Sequence, residues 1–309
     1  MTIPPAVQAA STLNRAWVEV TACPICEGRE SRPFESIEMG AEHVSYRLCS
    51  NCGSVYQSPR MSDEALENYY VSDYLSQHQR VEGISEKELR VQAGRARHLI
   101  RVLGGQVRTV RRHLDVGSST GKLMQAVVSA YGCVSVGVEP AQAYRSYCAA
   151  NGLKVYPQLQ TMSESDEQRF DLITLAHVLE HLPDPVEFLR DLQKRWLVPE
   201  GTLLVEVPNL FGHLSLERPH LLCFNSATLH RALTAGGFEL RRIVSHGSPR
   251  SRLIPLYLTA IAGPAGGRAI ERSRSSARGV RLRRRLGMGW HRLASQLLTR
   301  WAWLPLPEQ

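Results

Sequence analysis

The 309-residue chain has almost no lysine: 4 Lys stand against 33 Arg. It has no apolar run of the ~18 residues that a membrane-spanning helix needs. Its first residues lack a basic stretch followed by an apolar one, so no secretory leader is expected. It also lacks a pattern that calls for disulfides. Four of its seven cysteines fall in two C-x-x-C pairs, which suits a reducing compartment and a metal better than an oxidised framework. Cytoplasm is therefore the expected location. Hydrophobic residues make up 43% of the chain, enough for one large core with small appendages. The net charge of +8 is unevenly spread. Residues 241–309 hold 14 Arg, no Lys and two acids, a balance of +12 that leaves the rest of the chain at −4. Part of the arginine excess fits genome composition rather than selection for arginine.

What is present is most informative at Arg112-His-Leu-Asp-Val-Gly-Ser-Ser-Thr-Gly121. This reads as a strand, a glycine-hinged loop and then a helix over 122–130. A second strand, Val134 to Val138, ends in Glu139. Gly117 and Gly121 can take backbone angles closed to other residues, and a helix start attracts negative charge. A carboxylate at the tip of the second strand can accept ribose hydroxyls. Ser118 stands where a dinucleotide-binding loop has its second glycine, which argues against NAD or FAD.

The loop resembles the first motif of class I S-adenosylmethionine (SAM) methyltransferases. Phe170 to Leu175 reads as a fourth strand, His177-Val-Leu-Glu-His-Leu-Pro-Asp-Pro185 follows it, and Leu197 to Asn209 gives a turn and a fifth strand. The order is that of the same family, over about residues 106–245. The resemblance implies an α/β fold with a Rossmann-like seven-stranded sheet. It also implies a cofactor site at Asp115, Gly117, Ser118, Ser119, Thr120, Gly121, Glu139, Pro140 and Ala176. The usual adenine-contacting acid is not evident; Met162, Ser163, Glu164 and Asp166 lie in the right region.

Cys23-x-x-Cys26 and Cys49-x-x-Cys52, 22 residues apart, match a closed tetrahedral zinc site. Gly28 and Gly53 are expected where the chain turns around the metal. The site reads as structural, with recognition and redox roles as alternatives. Next, Ser62 is expected to cap a helix, and Tyr69, Tyr70 and Tyr74 offer either a wall over a substrate or simple packing. A second helix is expected from Ser85 to Leu103. A zinc ribbon, then P-R-x-S-x-E-x-L-x-x-Y-Y, then a SAM domain resembles a bacterial group that includes sugar methyltransferases. The expected division is a zinc ribbon over 1–60, a helical connector over 61–105, a SAM-binding domain over 106–262 and a basic amphipathic extension over 263–309.

His177, Glu180 and His181 sit at i, i+3 and i+4, on one side of any helical turn, beyond the fourth strand. Ligands of open α/β sheets bind at that carboxyl edge. A histidine there can serve as general base, or histidine and glutamate can hold a divalent ion. The segment resembles the E-x-x-E-H motif of Mg-dependent O-methyltransferases acting on quinone precursors and small-RNA ends. His177 replaces their first Glu, which weakens hard-cation binding. His220 stands where the small-RNA enzymes have a further ligand. A purely structural role for Glu180 and His181 is the third reading. Asp171 and Asp184 read as strand and cap residues, and Asn209 as an acceptor contact.

Gly236-Gly-Phe238 reads as the turn into a sixth strand. Arg252 to Ala260 reads as a seventh, irregular or at an edge because of Pro255. Residues 281–304 carry an apolar helical stripe at 282, 286, 290, 293, 297, 301 and 304, with arginine on the other face. That helix is expected to pack on the body or across a homodimer, to lie on a membrane surface, or to touch RNA. The expected activity is SAM-dependent methylation of a sugar, glycan or related hydroxyl, including a lipid-linked glycan. The alternatives are C-methylation of a keto-deoxysugar, RNA 2′-O-methylation and a non-catalytic assembly role.

Overall fold

The structure, a computed structural model, describes residues 16–39, 42–69, 84–162, 169–214, 216–266 and 276–305. Strand β1 (Trp17–Val18) precedes the first cysteine pair. A hairpin of β2 (Ser31–Met39) and β3 (Glu42–Cys49) leads through the second pair to β4 (Val55–Gln57) and β5 (Arg60–Met61), and β5 turns back on β1. Helix α1 (Asp63–Asn68) starts at Ser62, whose hydroxyl accepts the Ala65 N–H at 3.2 Å. Tyr69 is buried in the core, its ring beneath the Arg218 guanidinium. Tyr70 and Tyr74 lie outside the described residues, as do Ser163, Glu164 and Asp166.

Helix α2 (Glu86–Leu103) is capped by Ser85 and buries Gly94, Ala96, Leu99, Val102 and Leu103. Next come β6 (Arg112–Val116), α3 (Lys122–Tyr131), β7 (Val134–Val138), α4 (Gln142–Ala150), β8 (Lys154–Tyr156) and β9 (Phe170–Ala176). Then follow α5 (Pro185–Asp191), β10 (Leu197–Pro208), β11 (Leu222–Cys223), α6 (Ser226–Ala235), β12 (Phe238–His246) and β13 (Tyr257–Pro264). Asp184 caps α5 by accepting the Glu187 N–H, and Asp171 accepts the N–H groups of Arg111 and Arg112 at the base of the sheet.

The large sheet runs β12-β13-β10-β9-β6-β7-β8, with β13 antiparallel to both neighbours and the five strands from β10 to β8 parallel. This is the Rossmann-like seven-stranded sheet that the resemblance implies. Parallel strands covered on both faces read as continuous apolar runs. All eight residues from Gly201 to Pro208 are buried, Glu206 among them. The seventh strand departs from expectation. It starts at Tyr257, and it is interior rather than an edge. Pro255 lies before the ladder, so its missing N–H breaks no sheet bond; its carbonyl instead accepts from Asn209 Nδ2 at 2.9 Å.

A four-stranded sheet, β11-β4-β3-β2, joins the cysteine-bearing ribbon to a strand of the main domain. The ribbon is thus hydrogen-bonded into the molecule rather than tethered to it.

The C-terminal helix, α7 (Val280–Leu297), is followed by a short α8 (Thr299–Ala302). It packs on the body, but through a different face from the apolar stripe. Arg284, Ala294 and Ala302 are buried, whereas Leu282, Leu286, Trp290, Leu293, Leu297 and Trp301 are exposed. Arginine is therefore not confined to the solvent side. Arg284 donates to the carbonyls of Leu210 and His213, which close the turn after β10. Gly287 lets the helix backbone approach that turn, because a Cβ there would run into the Phe211 carbonyl. Gly287→Ala gains up to about 1 kcal/mol of helix propensity, but the clash with fixed backbone costs about 1–3 kcal/mol. The variant is expected to melt below the wild type in a thermal scan; equal or higher stability would show that α7 is not seated this closely.

Candidate active site

The glycine loop is left-handed at Gly117 (φ 74°), Ser119 (φ 47°) and Gly121 (φ 70°). Its amides are already engaged. Gly117 and Ser118 donate to the Val138 carbonyl at 2.8 and 3.0 Å, and Ser119 donates to Glu139 Oε2 at 2.9 Å. The N–H groups therefore anchor the loop to the next strand rather than waiting for a ligand. The bare Gly117 is also required by packing, since a Cβ there would lie 2.5 Å from the Val178 methyl.

Glu139 accepts from Ser119 and from Ala141 (2.9 Å each), which fixes its carboxylate with lone pairs left over. Behind the loop, Ser135 Oγ and Thr174 Oγ1 each lie 2.9 Å from a ring nitrogen of buried His113, and Thr174 donates to Asp115 at 2.6 Å. Because Thr174 gives its proton to Asp115, it accepts from His113 Nε2–H, and Ser135 donates to Nδ1.

These residues open on a cavity of about 310 Å³. Asp115, Gly117, Ser118, Ser119, Glu139, Pro140 and Ala176 line it, as do His177 and His181. Thr120 and Gly121 lie behind it; Gly121 is left bare because a Cβ would meet Leu153 and Cys148. Gln92, Arg95, Lys122, Tyr144, Val178 and Phe188 also line the cavity, and sequence reasoning missed them. The buried hydroxyl of Ser118, which lines the cavity, has no hydrogen-bond partner among the described residues, a polar surplus that fits a polar cofactor.

His177, Glu180 and His181 do not share one helical face. His177 takes φ 59° because its N–H continues the sheet to the Glu206 carbonyl at 2.8 Å; the 3-10 turn begins only at Leu179. The side chains still converge on Glu180, whose Oε1 lies 3.3 Å from His177 Nδ1 and 3.9 Å from His181 Nε2. The His181 and His220 rings are 4.9 Å apart, and Glu180, His181 and His220 offer ligand atoms within 4.8 Å of one another. His177 turns its other nitrogen to Glu206, 3.3 Å away.

Glu206 also meets Arg95 Nε at 2.8 Å and His246 at 3.4 Å. It is the functional residue that pattern reading passed over. A lone acid in the run Leu203-Leu-Val-Glu-Val207 was the available signal, because a buried charge needs a built partner. Burial and Arg95 push His177 down, but the Glu180 and Glu206 carboxylates, 3.3 Å from its two ring nitrogens, outweigh them, and its pKa is raised. Burial pushes Glu180 up, yet His177, His181 and His220 bring it to about 2. Burial drives His181 down to about 4. Its Nδ1 lies 2.8 Å from the Pro219 carbonyl, so the ring proton sits on Nδ1 and the lone pair on Nε2.

Asn209 is not among the residues that line this cavity. Its amide donates to Ser245 and Pro255 and accepts from Phe211, tying the end of β10 to its neighbours.

The four cysteine thiols form a separate cluster, with all sulfurs within 4.8 Å of one another. Cys23–Cys52 and Cys26–Cys49 are 3.7 and 3.6 Å apart, close to the ~3.8 Å edge of a tetrahedron with 2.3 Å metal–sulfur bonds. The tight turns fall at Glu27 (φ 60°) and Gly53 (φ 75°). Gly28 serves instead as a close contact, its bare Cα beside the Cys26 sulfur and Asn51.

A family model described as a methyltransferase domain matches residues 87–243, over half the chain. The chain belongs to the methyltransferase-domain family. It is 26% identical over 145 residues to a ubiquinone biosynthesis O-methyltransferase of Haemophilus ducreyi, covering 43% of this chain and 59% of that protein. To the enzyme of the same name from Actinobacillus pleuropneumoniae it is 32% identical over 110 residues, covering 32% and 46%. The chain thus spans about half the length of these curated relatives. A 1,6-didemethyltoxoflavin-N1-methyltransferase from Burkholderia thailandensis, solved with bound 1,6-didemethyltoxoflavin and S-adenosylhomocysteine, shares the fold. Its TM-score is 0.53 at 16% identity, over 74% of this chain and 99% of that one.

In this methyltransferase domain, burial raises Asp115 to about 7, with the Thr174 hydroxyl opposing and the Glu139 charge adding. A raised carboxyl stabilises the free protein in its protonated form. That contribution is complete below pH ~4 and is lost as pH rises through ~7. A cation held beside Asp115, such as the ammonium of SAM, would favour the carboxylate. SAM affinity measured by calorimetry is therefore expected to rise roughly tenfold between pH 6 and pH 8. Asp115→Asn should flatten the profile; an unchanged slope in that variant would assign the titration elsewhere.

Proposed function

We propose that the protein is a SAM-dependent O-methyltransferase with His181 as general base and the Cys23–Cys26–Cys49–Cys52 cluster as a structural zinc site. The observation that carries the catalytic reading is the His181–Pro219 hydrogen bond, which puts the lone pair on Nε2 at a ring lining the cavity. When bound, SAM supplies an electrophilic methyl group on a sulfonium. The Asp115–Gly121 loop and Glu139 would hold the cofactor. His181 Nε2 would take the proton of the acceptor hydroxyl as its oxygen receives the methyl group. Glu180, 3.9 Å from that nitrogen, then faces the imidazolium. Burial keeps His181 neutral, and so able to accept, throughout the physiological pH range. His177, set between Glu180 and Glu206 at 3.3 Å from each, positions Glu180.

The resemblance to a zinc-ribbon group favours a sugar or glycan hydroxyl as acceptor. The names of the curated relatives favour an O-methyl acceptor of ubiquinone biosynthesis. Methyl transfer from labelled SAM to a panel of both classes separates the two. With the accepted substrate, His181→Ala is expected to lower kcat about 10²–10⁴-fold with little change in SAM affinity. Wild-type turnover in that variant would move His181 to a structural role.

A second reading rests on the closeness of Glu180, His181 and His220, a donor set able to hold a divalent ion that acidifies the acceptor hydroxyl. Loss of turnover on brief chelation, with restoration by a divalent ion and no change in thermal stability, would favour it over the metal-free base.

A further inference from the structure

The face of α7 turned away from the body is apolar; its leucines are exposed, and Trp290 Nε1 donates to the Leu253 carbonyl at 3.0 Å. Leu282, Leu286, Trp290, Leu293 and Leu297 recur at three- and four-residue steps, and Trp301 on α8 continues the line. Their exposures are 61, 66, 41, 47, 73 and 68%. The helix does not need the leucines for its seat. It is held by Arg284 on the Leu210 and His213 carbonyls, by His291 Nδ1 on the Gly212 carbonyl at 2.7 Å, and by buried Ala294. Isolated exposed apolar side chains are ordinary on a soluble protein; a continuous stripe along two helices is not.

The charge around the stripe has one sign. Arg283, Arg285, Arg292 and Arg300 are exposed on the same two helices, and no acid occurs anywhere from residue 272 to 307. The occupant must therefore be apolar and anionic together. A second copy of the helix would bring arginine against arginine with no carboxylate to pair. A nucleic acid backbone would satisfy the arginines but leave the leucines in water. We infer that this face docks on the surface of an anionic phospholipid bilayer. The leucines enter the acyl boundary, Trp290 and Trp301 lie at headgroup level, and the arginines meet lipid phosphates. No helix among the described residues is long and apolar enough to cross a membrane, so the contact lies on the bilayer and does not span it. The inner face of α7 sits on the turn that follows β10, at the same end of the sheet as the cavity. Docking brings the acceptor side of the domain toward the lipid, an arrangement that suits an acceptor anchored in the membrane.

The test is co-sedimentation of the full-length protein with mixed phosphatidylglycerol–phosphatidylcholine vesicles and with phosphatidylcholine alone. Wild type is expected to pellet with the mixed vesicles, far less with the neutral ones, and less in high salt. The exposed pair Leu286→Asp/Leu297→Asp is expected to weaken binding roughly tenfold or more, with unchanged melting temperature and SAM affinity. Wild type that stays in the supernatant, or a variant that pellets equally, would overturn the inference. Two other results would also overturn it, by assigning the face to a different occupant. One is a lipid-free dimer that the same pair of substitutions breaks, without vesicle binding. The other is RNA retention that the substitutions leave untouched, again without vesicle binding.

Discussion

The grip of the ribbon on the loop over 217–220 is the contact on which the rest of the site depends. Gln57 Nε2 lies 3.1, 2.9 and 2.9 Å from the carbonyls of Glu217, Arg218 and His220. Tyr46 donates to the Glu217 and His220 carbonyls at 2.8 and 3.0 Å and accepts the Glu217 N–H. Both side chains are 1% exposed, so a partner left unmade costs about 1–3 kcal/mol. Pro219 lies inside the gripped segment, and its carbonyl fixes the His181 tautomer. The chain of cause runs from four thiols, through a small sheet that shares β11 with the main domain, to one ring nitrogen at the cavity. A metal at the cysteines would thus act on the chemistry by holding a loop, without touching a reactant.

The second constraint is electrostatic. Two carboxylates, Glu180 and Glu206, are 1% and 0% exposed in side chain. Burying one ion costs several kcal/mol unless it is paired. Here His177, its pKa raised by both carboxylates, stands between the two acids, and Arg95 closes the far end against Glu206. The left-handed backbone at His177 follows from this: its N–H finishes the sheet while its ring must reach both acids. Asp115 shows the opposite solution, a buried carboxyl whose ionised form is disfavoured until a cation arrives.

Much of the fold was legible because it rests on local chemistry. The strand–loop–helix at Asp115–Gly121, the caps at Ser62, Ser85 and Asp184, and the cysteine spacing are all short-range signals. The seventh strand was misplaced because Pro255 was counted inside it, whereas a proline just before a strand breaks no ladder bond. The tail stripe was legible as a pattern but not as an orientation. Apolar periodicity usually marks the buried face, and here the buried face is built from Arg284, Gly287, His291 and Ala294. Arg95 and Glu206 were hidden for a related reason: their partnership spans 111 residues, and neither carries a motif. The ribbon's hold on the 217–220 loop was invisible as well, since it runs from side chains to backbone carbonyls that have no sequence signature.

The central claim is that His181 is neutral, with its proton on Nδ1. The most direct measurement is the pattern of long-range ¹⁵N–¹H couplings of the His181 ring in histidine-labelled protein, followed as a function of pH. The account predicts the Nδ1–H tautomer at pH 7, with no protonation until the pH falls well below 6. An Nε2–H tautomer, or an imidazolium at pH 7, would contradict it.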